Sequence, residues 1–355
     1  MRKPLLVVTV SLSLSLVVAE FAYRALAPAP FREPVILTSD GKVIPLSEVI
    51  NYLRVSGEES AKNPLPMGML PPGLVMQHNY DRPTWPYFDE DGSVQIQIND
   101  LGFRDKPFER KKKDGELRIL TIGDSFTFGS GVRLEDSWPQ VLEEMLAEDR
   151  EGPVEVINGG YAAGFHAPDG YWHWVETDGV AFDPDVLIVG FCLNDMGPVP
   201  MLAYPVVDPK TWLGGVSEIL NSIQRSIAQE EVKKRKQDAT EIIRMRPLPW
   251  ENTKGGLRRI REVLKKNDIR LIVAVFPMIS LLGENHPYVG LHKMVGDFCA
   301  EEGIESVDLL SRFRGLDEQD LWVHATDQHP NHIGHKMIAE GVLEYLESHP
   351  AKPDK

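Results

Sequence analysis

The chain has 355 residues, of which 42% are hydrophobic and 26% charged, the composition of a folded domain and not of a disordered one. A formal charge of -15 excludes a nucleic-acid surface built on a basic stripe, and two cysteines are too few for a disulfide framework or a cysteine zinc site. Cys192 and Cys299 each lie in an apolar stretch and read as buried thiols.

Arg2 and Lys3 precede an apolar run from Leu5 to Ala19, followed by Glu20, Phe21, Ala22, Tyr23 and Arg24, the pattern of an export segment. The strictly apolar part is shorter than the ~20 residues that span a bilayer, which suits a signal peptide cut after Ala19. Extension through Tyr23 to Arg24 instead makes a short membrane anchor, and Pro28 after Ala25-Leu26-Ala27 is a poor residue to follow a cut. Residues 1–27 therefore read as a signal-anchor or signal peptide, the anchor being preferred. Either reading exports the rest of the chain, anchored at the cell membrane and facing the periplasm or exterior in one case, secreted in the other.

Residues 28–115 read as a proline-rich stem and a small β lead-in, with Pro64, Pro66, Pro71, Pro72, Pro83 and Pro86. Ser93 to Ile98 alternates polar and apolar as a half-buried strand, and Asn99-Asp100-Leu101-Gly102-Phe103-Arg104 closes it with turn residues. Lys111-Lys112-Lys113 is a solvated basic turn before the first core strand.

From 116 to 348 the hydrophobic period switches regularly between two and 3.6. A strand from Leu117 to Ile122 is followed by a helix carrying Trp138, Val141, Leu142, Met145 and Leu146 on one face, then a strand from Val154 to Asn158. The apolar run from Val186 to Phe191, a helix with Leu257, Ile260, Val263 and Leu264, and the run from Leu271 to Phe276 continue the pattern. A helix from about Leu291 to Glu302, a strand near Glu305 to Leu310 and a last helix from Ile333 to Leu346 complete it. Such alternation implies an α/β fold, a mostly parallel sheet covered by helices on both faces, with ligands bound beyond the carboxyl ends of its strands. Residues 197–250 interrupt it with a helical insertion running through Ile219, Ile223 and Ile227 into Lys233-Lys234-Arg235-Lys236.

The first core strand stops at Gly123-Asp124-Ser125, which puts Ser125 between a strand end and a helix start, where free backbone N–H groups can bind a developing negative charge. The Gly-x-Ser-x-Gly elbow of α/β-hydrolases does not fit. His329 is the candidate base, because Asp327-Gln328-His329-Pro330 lies in a loop before the last helix, where Asp327 can orient the imidazole. His332 and His335 read as support or surface, and no metal set is evident. Asn158-Gly159-Gly160-Tyr161-Ala162-Ala163-Gly164 lets backbone approach a ligand, and Cys192-Leu193-Asn194-Asp195 puts an Asn side chain at a strand end. Phe165, Tyr171, Trp172 and Trp174 suit core packing better than sugar stacking.

Ser125, Gly164, Asn194 and His329, in that order at the ends of successive strands, resemble the SGNH hydrolase family, also called GDSL esterases and lipases. The lead-in from Asn99 to Arg104 is similar to members with an amino-terminal membrane segment. The resemblance implies a three-layer α/β/α, flavodoxin-like hydrolase fold, Ser125 as nucleophile and His329 as base. It also implies an oxyanion hole made by Ser125, Gly164 and Asn194, with Asp327 as the acid. Thr326 stands where the family's Asp-x-x-His has its acid, Cys192 replaces the glycine of the third block, and Ala163 is the alternative to Gly164. The expected activity is hydrolysis of carboxylic esters of an exported substrate, an O-acetylated glycan or short acyl ester, without cofactor or metal. The alternatives are an O-acyltransferase acting on a cell-surface polysaccharide and a non-catalytic glycan-binding module.

Overall fold

In the computed structural model, which describes residues 15–26, 35–37, 43–45, 70–80, 85–161, 168–197, 219–220, 223, 227, 239–325 and 327–350, five apolar runs form one parallel sheet. Its strands are β5 (Leu117–Gly123), β6 (Val154–Gly160), β7 (Val186–Cys192), β8 (Arg270–Phe276) and β9 (Glu305–Asp308), in the spatial order β6-β5-β7-β8-β9. β7 at the centre is buried at every position, as a strand covered on both faces must be.

Helices Trp138–Asp149 and His332–Ser348 pack together on one face of this sheet. Pro168–Trp174 and Leu248–Lys266 pack together on the other, where Trp250 lies edge-on to Phe298 of helix Val289–Glu302 and to Phe191 of β7. The fold is thus α/β with helices flanking a five-stranded parallel sheet. The strand read as reaching Leu310 ends at Asp308, because the Asp308 carboxylate accepts the Leu310 N–H at 2.9 Å and starts the short helix Leu310–Phe313. Tyr171 and Trp174 fill core, whereas Trp172 is half-buried beneath the Arg259 guanidinium, 4.4 Å from its ring centre.

A second sheet precedes the first. β1 (Val35–Leu37), β2 (Val43–Pro45), β3 (Val75–Asn79) and β4 (Ser93–Gln97) are antiparallel in the order β2-β1-β3-β4. Leu70, Met76, Ile96 and Ile98 bury themselves against Phe128, three residues after the serine of the Gly-Asp-Ser segment. Asn99 closes the turn by accepting the Leu101 and Phe103 N–H groups at 2.9 and 3.0 Å. That turn delivers Arg104, fully buried, whose guanidinium donates to the carbonyls of Phe128, Gly129 and Val132. Burial draws its pKa down only to about 10, so it stays a cation beneath the segment that carries Ser125.

Contacts divide the chain into two units, residues 1–31 with 200–237, and residues 32–199 with 238–355. In the first, residues 15–26 are helical, and Glu20 accepts from Arg24 Nε at 2.7 Å and from the Ile219 N–H at 3.4 Å. No helix among the described residues is long and apolar enough to cross a membrane. The start of the apolar run before Ser15 and the basic stretch from Lys233 to Lys236 lie outside the described residues.

Candidate active site

β5 is flanked by β6 and β7, the strands that follow it in the chain, so the crevice where the winding reverses opens at its carboxyl end. There Gly123 stands in register with Gly160 of β6 and Gly190 of β7. A Cβ at Gly160 would lie far inside contact distance of the Phe128 nitrogen, and one at Gly190 would collide with Thr127 Oγ1. This row of glycines lets the helical turn Ser125–Phe128 rest on the end of the sheet. Asp124 caps the turn by accepting the Phe126 N–H at 2.9 Å, while Phe126, Thr127 and Phe128 are buried and Ser125 is partly exposed. The Ser125 N–H, first of the helix, has no intrahelical acceptor.

His329 lies on a short strand and not in the loop read from the sequence. β11 (Asp327–Pro330) pairs antiparallel with β10 (Trp322–His324), with Trp322 opposite Pro330, His324 opposite Asp327 and a shift of register between them. On a strand, residues two apart share a face, so the Asp-x-His spacing sets carboxylate and imidazole side by side. His329 Nε2 is 2.8 Å from Ser125 Oγ, and His329 Nδ1 is 2.5 Å from Asp327 Oδ1. With a carboxylate at Nδ1 the proton sits there, and the Nε2 lone pair faces the serine hydroxyl. Asp327 is buried with 4% of its side chain exposed, while His329 keeps 29%, so the imidazole can be reached from solvent and the carboxylate cannot.

Burial raises the Asp327 pKa, but the His329 charge, the His329 hydrogen bonds and the Tyr80 hydroxyl outweigh it and hold the carboxyl below its usual range. Burial lowers the His329 pKa, and the charge and hydrogen bond of Asp327, helped by Asp124, raise it above the ordinary imidazole value.

β7 runs into the single turn Leu193–Met196. Asn194 Nδ2 donates to Asp124 Oδ2 at 2.9 Å, engaging one of its two amide hydrogens beside the serine turn. Burial pushes the Asp124 carboxyl up, with the Asn194 and Phe126 donors opposing it. Ser125, His329, Asp327 and Asn194 are therefore brought together. Gly164, with Ala163, Phe165 and Thr326, lies outside the described residues.

The GDSL-like lipase/acylhydrolase family matches residues 121–337, more than half of the chain. The chain belongs to that family. As a GDSL-like acylhydrolase it acts on ester bonds. Comparison with curated proteins gives no match. Among solved structures the chain is similar to the esterase EstA from Pseudoalteromonas sp., at 11% identity over 65% of this chain and 97% of that one, TM-score 0.41. It is similar also to TesA, at 14% identity over 65% and 98%, TM-score 0.42. The acetyl xylan esterase AlAXEase matches at 14% identity over 64% and 99%, TM-score 0.39.

In this GDSL-like hydrolase the remaining histidines near the site are structural. His335 is buried and accepts the Trp138 N–H at 3.2 Å, and His332 lies edge-on to Trp85 and Tyr87. No group of three or more His, Cys, Asp or Glu among the described residues could hold a metal ion. Sequence reasoning missed three supports of the site: the second Asp124 oxygen that holds Asn194, the Arg104 guanidinium, and Tyr80, which donates to Asp327 Oδ2 at 2.7 Å. The first two lay within recognised motifs, Gly-Asp-Ser and the lead-in from Asn99 to Arg104; Tyr80 lay in none.

Proposed function

We propose that this acylhydrolase is a serine esterase working through an acyl-enzyme on Ser125. The observation that carries the reading is the continuous run of hydrogen bonds from Ser125 Oγ to His329 Nε2 and from His329 Nδ1 to Asp327 Oδ1. His329 takes the hydroxyl proton as Oγ attacks the ester carbonyl. The tetrahedral oxyanion forms against the N–H groups of Ser125 and Gly164 and the free amide hydrogen of Asn194. The imidazolium, stabilised by Asp327, then protonates the alkoxy oxygen as the tetrahedral adduct collapses and its C–O bond breaks, which releases the alcohol and leaves the acyl group esterified to Oγ. Water deprotonated by the same imidazole attacks next, releasing the carboxylic acid and restoring the serine.

The substrate proposed is an ester outside the cytoplasm, an O-acetylated glycan or short acyl ester. Export is supported by Arg2 and Lys3 ahead of the apolar run, with residues 1–27 retained as the membrane anchor.

Hydrolysis of p-nitrophenyl acetate by Ser125→Ala tests the assignment. Turnover is expected to vanish while the circular dichroism spectrum and unfolding midpoint stay those of the wild type. A folded Ser125→Ala protein that still turns over would sink it.

A further inference from the structure

The Asp327 carboxylate is held from two sides. Oδ1 accepts from His329 Nδ1 at 2.5 Å and from the His329 N–H at 3.1 Å, and Oδ2 accepts the Tyr80 hydroxyl at 2.7 Å. Tyr80 directly follows β3, 247 positions before Asp327, in the antiparallel sheet that precedes the hydrolase sheet. Its ring is buried, 5.2 Å from Phe88 and 5.5 Å from His324, and its N–H donates to the Gly92 carbonyl at 2.8 Å. Gly131, at φ 81°, leaves the space the hydroxyl occupies, since a Cβ there would strike Tyr80 Oη and Val323. His78 Nδ1 lies 3.4 Å from the hydroxyl, and burial holds that imidazole neutral with a pKa of about 4.

A carboxylate bonded through one oxygen can still turn about its Cβ–Cγ bond. A second donor on the other oxygen fixes its plane, and with it the imidazole ring that the first oxygen orients. The neighbouring Asp-x-His geometry supplies no such second donor from β11 itself. We propose that Tyr80 is a positioning residue of the reaction, fixing the Asp327 carboxylate so that His329 faces Ser125. The inference rests on the serine-esterase reading above and adds that the amino-terminal lead-in completes the site.

The test uses the full chain, p-nitrophenyl acetate, and active sites counted by fluorophosphonate labelling, so that rates are per competent site. Tyr80→Phe keeps the ring and removes only the hydroxyl. Its kcat is expected to fall roughly tenfold with KM within about twofold, the size of one hydrogen bond to a charged group. The acid limb of kcat/KM should move to higher pH, because a carboxylate stripped of one donor holds the imidazolium more tightly. The other groups facing the pair are unchanged in the variant: Asp124 on the serine turn, His78 on β3, Tyr87, Arg104, and His332 and His335 on the last helix. Placing 3-fluorotyrosine at position 80, a more acidic donor of nearly the same shape, should move the limb the opposite way. In an Asp327→Asn background Tyr80→Phe should cost nothing further.

A merely structural role predicts fewer labelled sites with an unmoved limb. Wild-type kcat per labelled site in Tyr80→Phe, a limb that is unmoved or lowered, or a full tenfold loss persisting in Asp327→Asn would each overturn the proposal. Ser125→Ala run beside them separates the two readings. If it is inactive, failure at Tyr80 leaves the esterase standing; if it is active, both fall.

Discussion

His329 is drawn in two directions, and the balance sets the pH response. Burial favours the neutral ring, while Asp327 and Asp124 favour the imidazolium, and the carboxylates prevail. A base must be neutral to accept the serine proton, so kcat/KM should rise with pH through a limb lying above the ordinary imidazole value of 6.5. A pH profile at constant ionic strength reads this directly, and a limb below 6.5 would contradict the assigned environment. Asn194 is held by Asp124 at 2.9 Å with its second amide hydrogen available, so Asn194→Ala should lower kcat about 10²–10³-fold with little change in KM. Ser125, Asn194, Asp327 and His329 were legible in the sequence because each is a chemistry-bearing residue set at a strand end or before a helix. Tyr80 was not, because nothing in its neighbourhood hints at a carboxylate 247 residues away.

At the scale of elements, the serine turn depends on what lies under it. The glycines of the Asn158–Gly164 stretch read from sequence as ligand-facing backbone, yet Gly160 serves the packing of the turn Ser125–Phe128 against β6. Gly160→Ala would force that turn off the sheet. An unfolding free energy lower by about 1–3 kcal/mol, read from urea titration, is expected together with a loss of kcat, since Ser125 moves with the turn. A variant with wild-type stability and rate would show that the turn does not need this close approach. The five strands of the parallel sheet and the helices Trp138–Asp149, Leu248–Lys266, Val289–Glu302 and His332–Ser348 followed from the switch of hydrophobic period, whereas strands β1, β2 and β3 and the short helix Pro168–Trp174 did not. β11 was invisible to periodicity because Asp327-Gln328-His329-Pro330 has neither apolar alternation nor β-branched residues, and it is a strand only through its pairing with Trp322–His324.

For the whole molecule, the lead-in is bound into the hydrolase core and not strung ahead of it. Leu70, Met76, Ile96 and Ile98 share a cluster with Phe128, Tyr80 and Phe88 share one with Val132 and Val323, and Arg104 satisfies three carbonyls at the end of the serine turn and just beyond it. A chain shortened to begin at Glu116 would expose that apolar surface and leave those carbonyls buried without a donor. It should lack the cooperative thermal transition that a chain beginning at Leu70 retains, as scanning calorimetry would show. The sequence did not reveal this dependence, because proline and weak periodicity mask strands whose burial comes from the neighbouring sheet. The proposed mechanism turns on a covalent intermediate at Ser125. The most direct measurement is mass spectrometry of the enzyme acid-quenched during turnover of p-nitrophenyl acetate: one acetyl group on the peptide containing Ser125, absent in Ser125→Ala, is the predicted result. Turnover at the wild-type rate with no acyl adduct, or with the adduct on another residue, would contradict it.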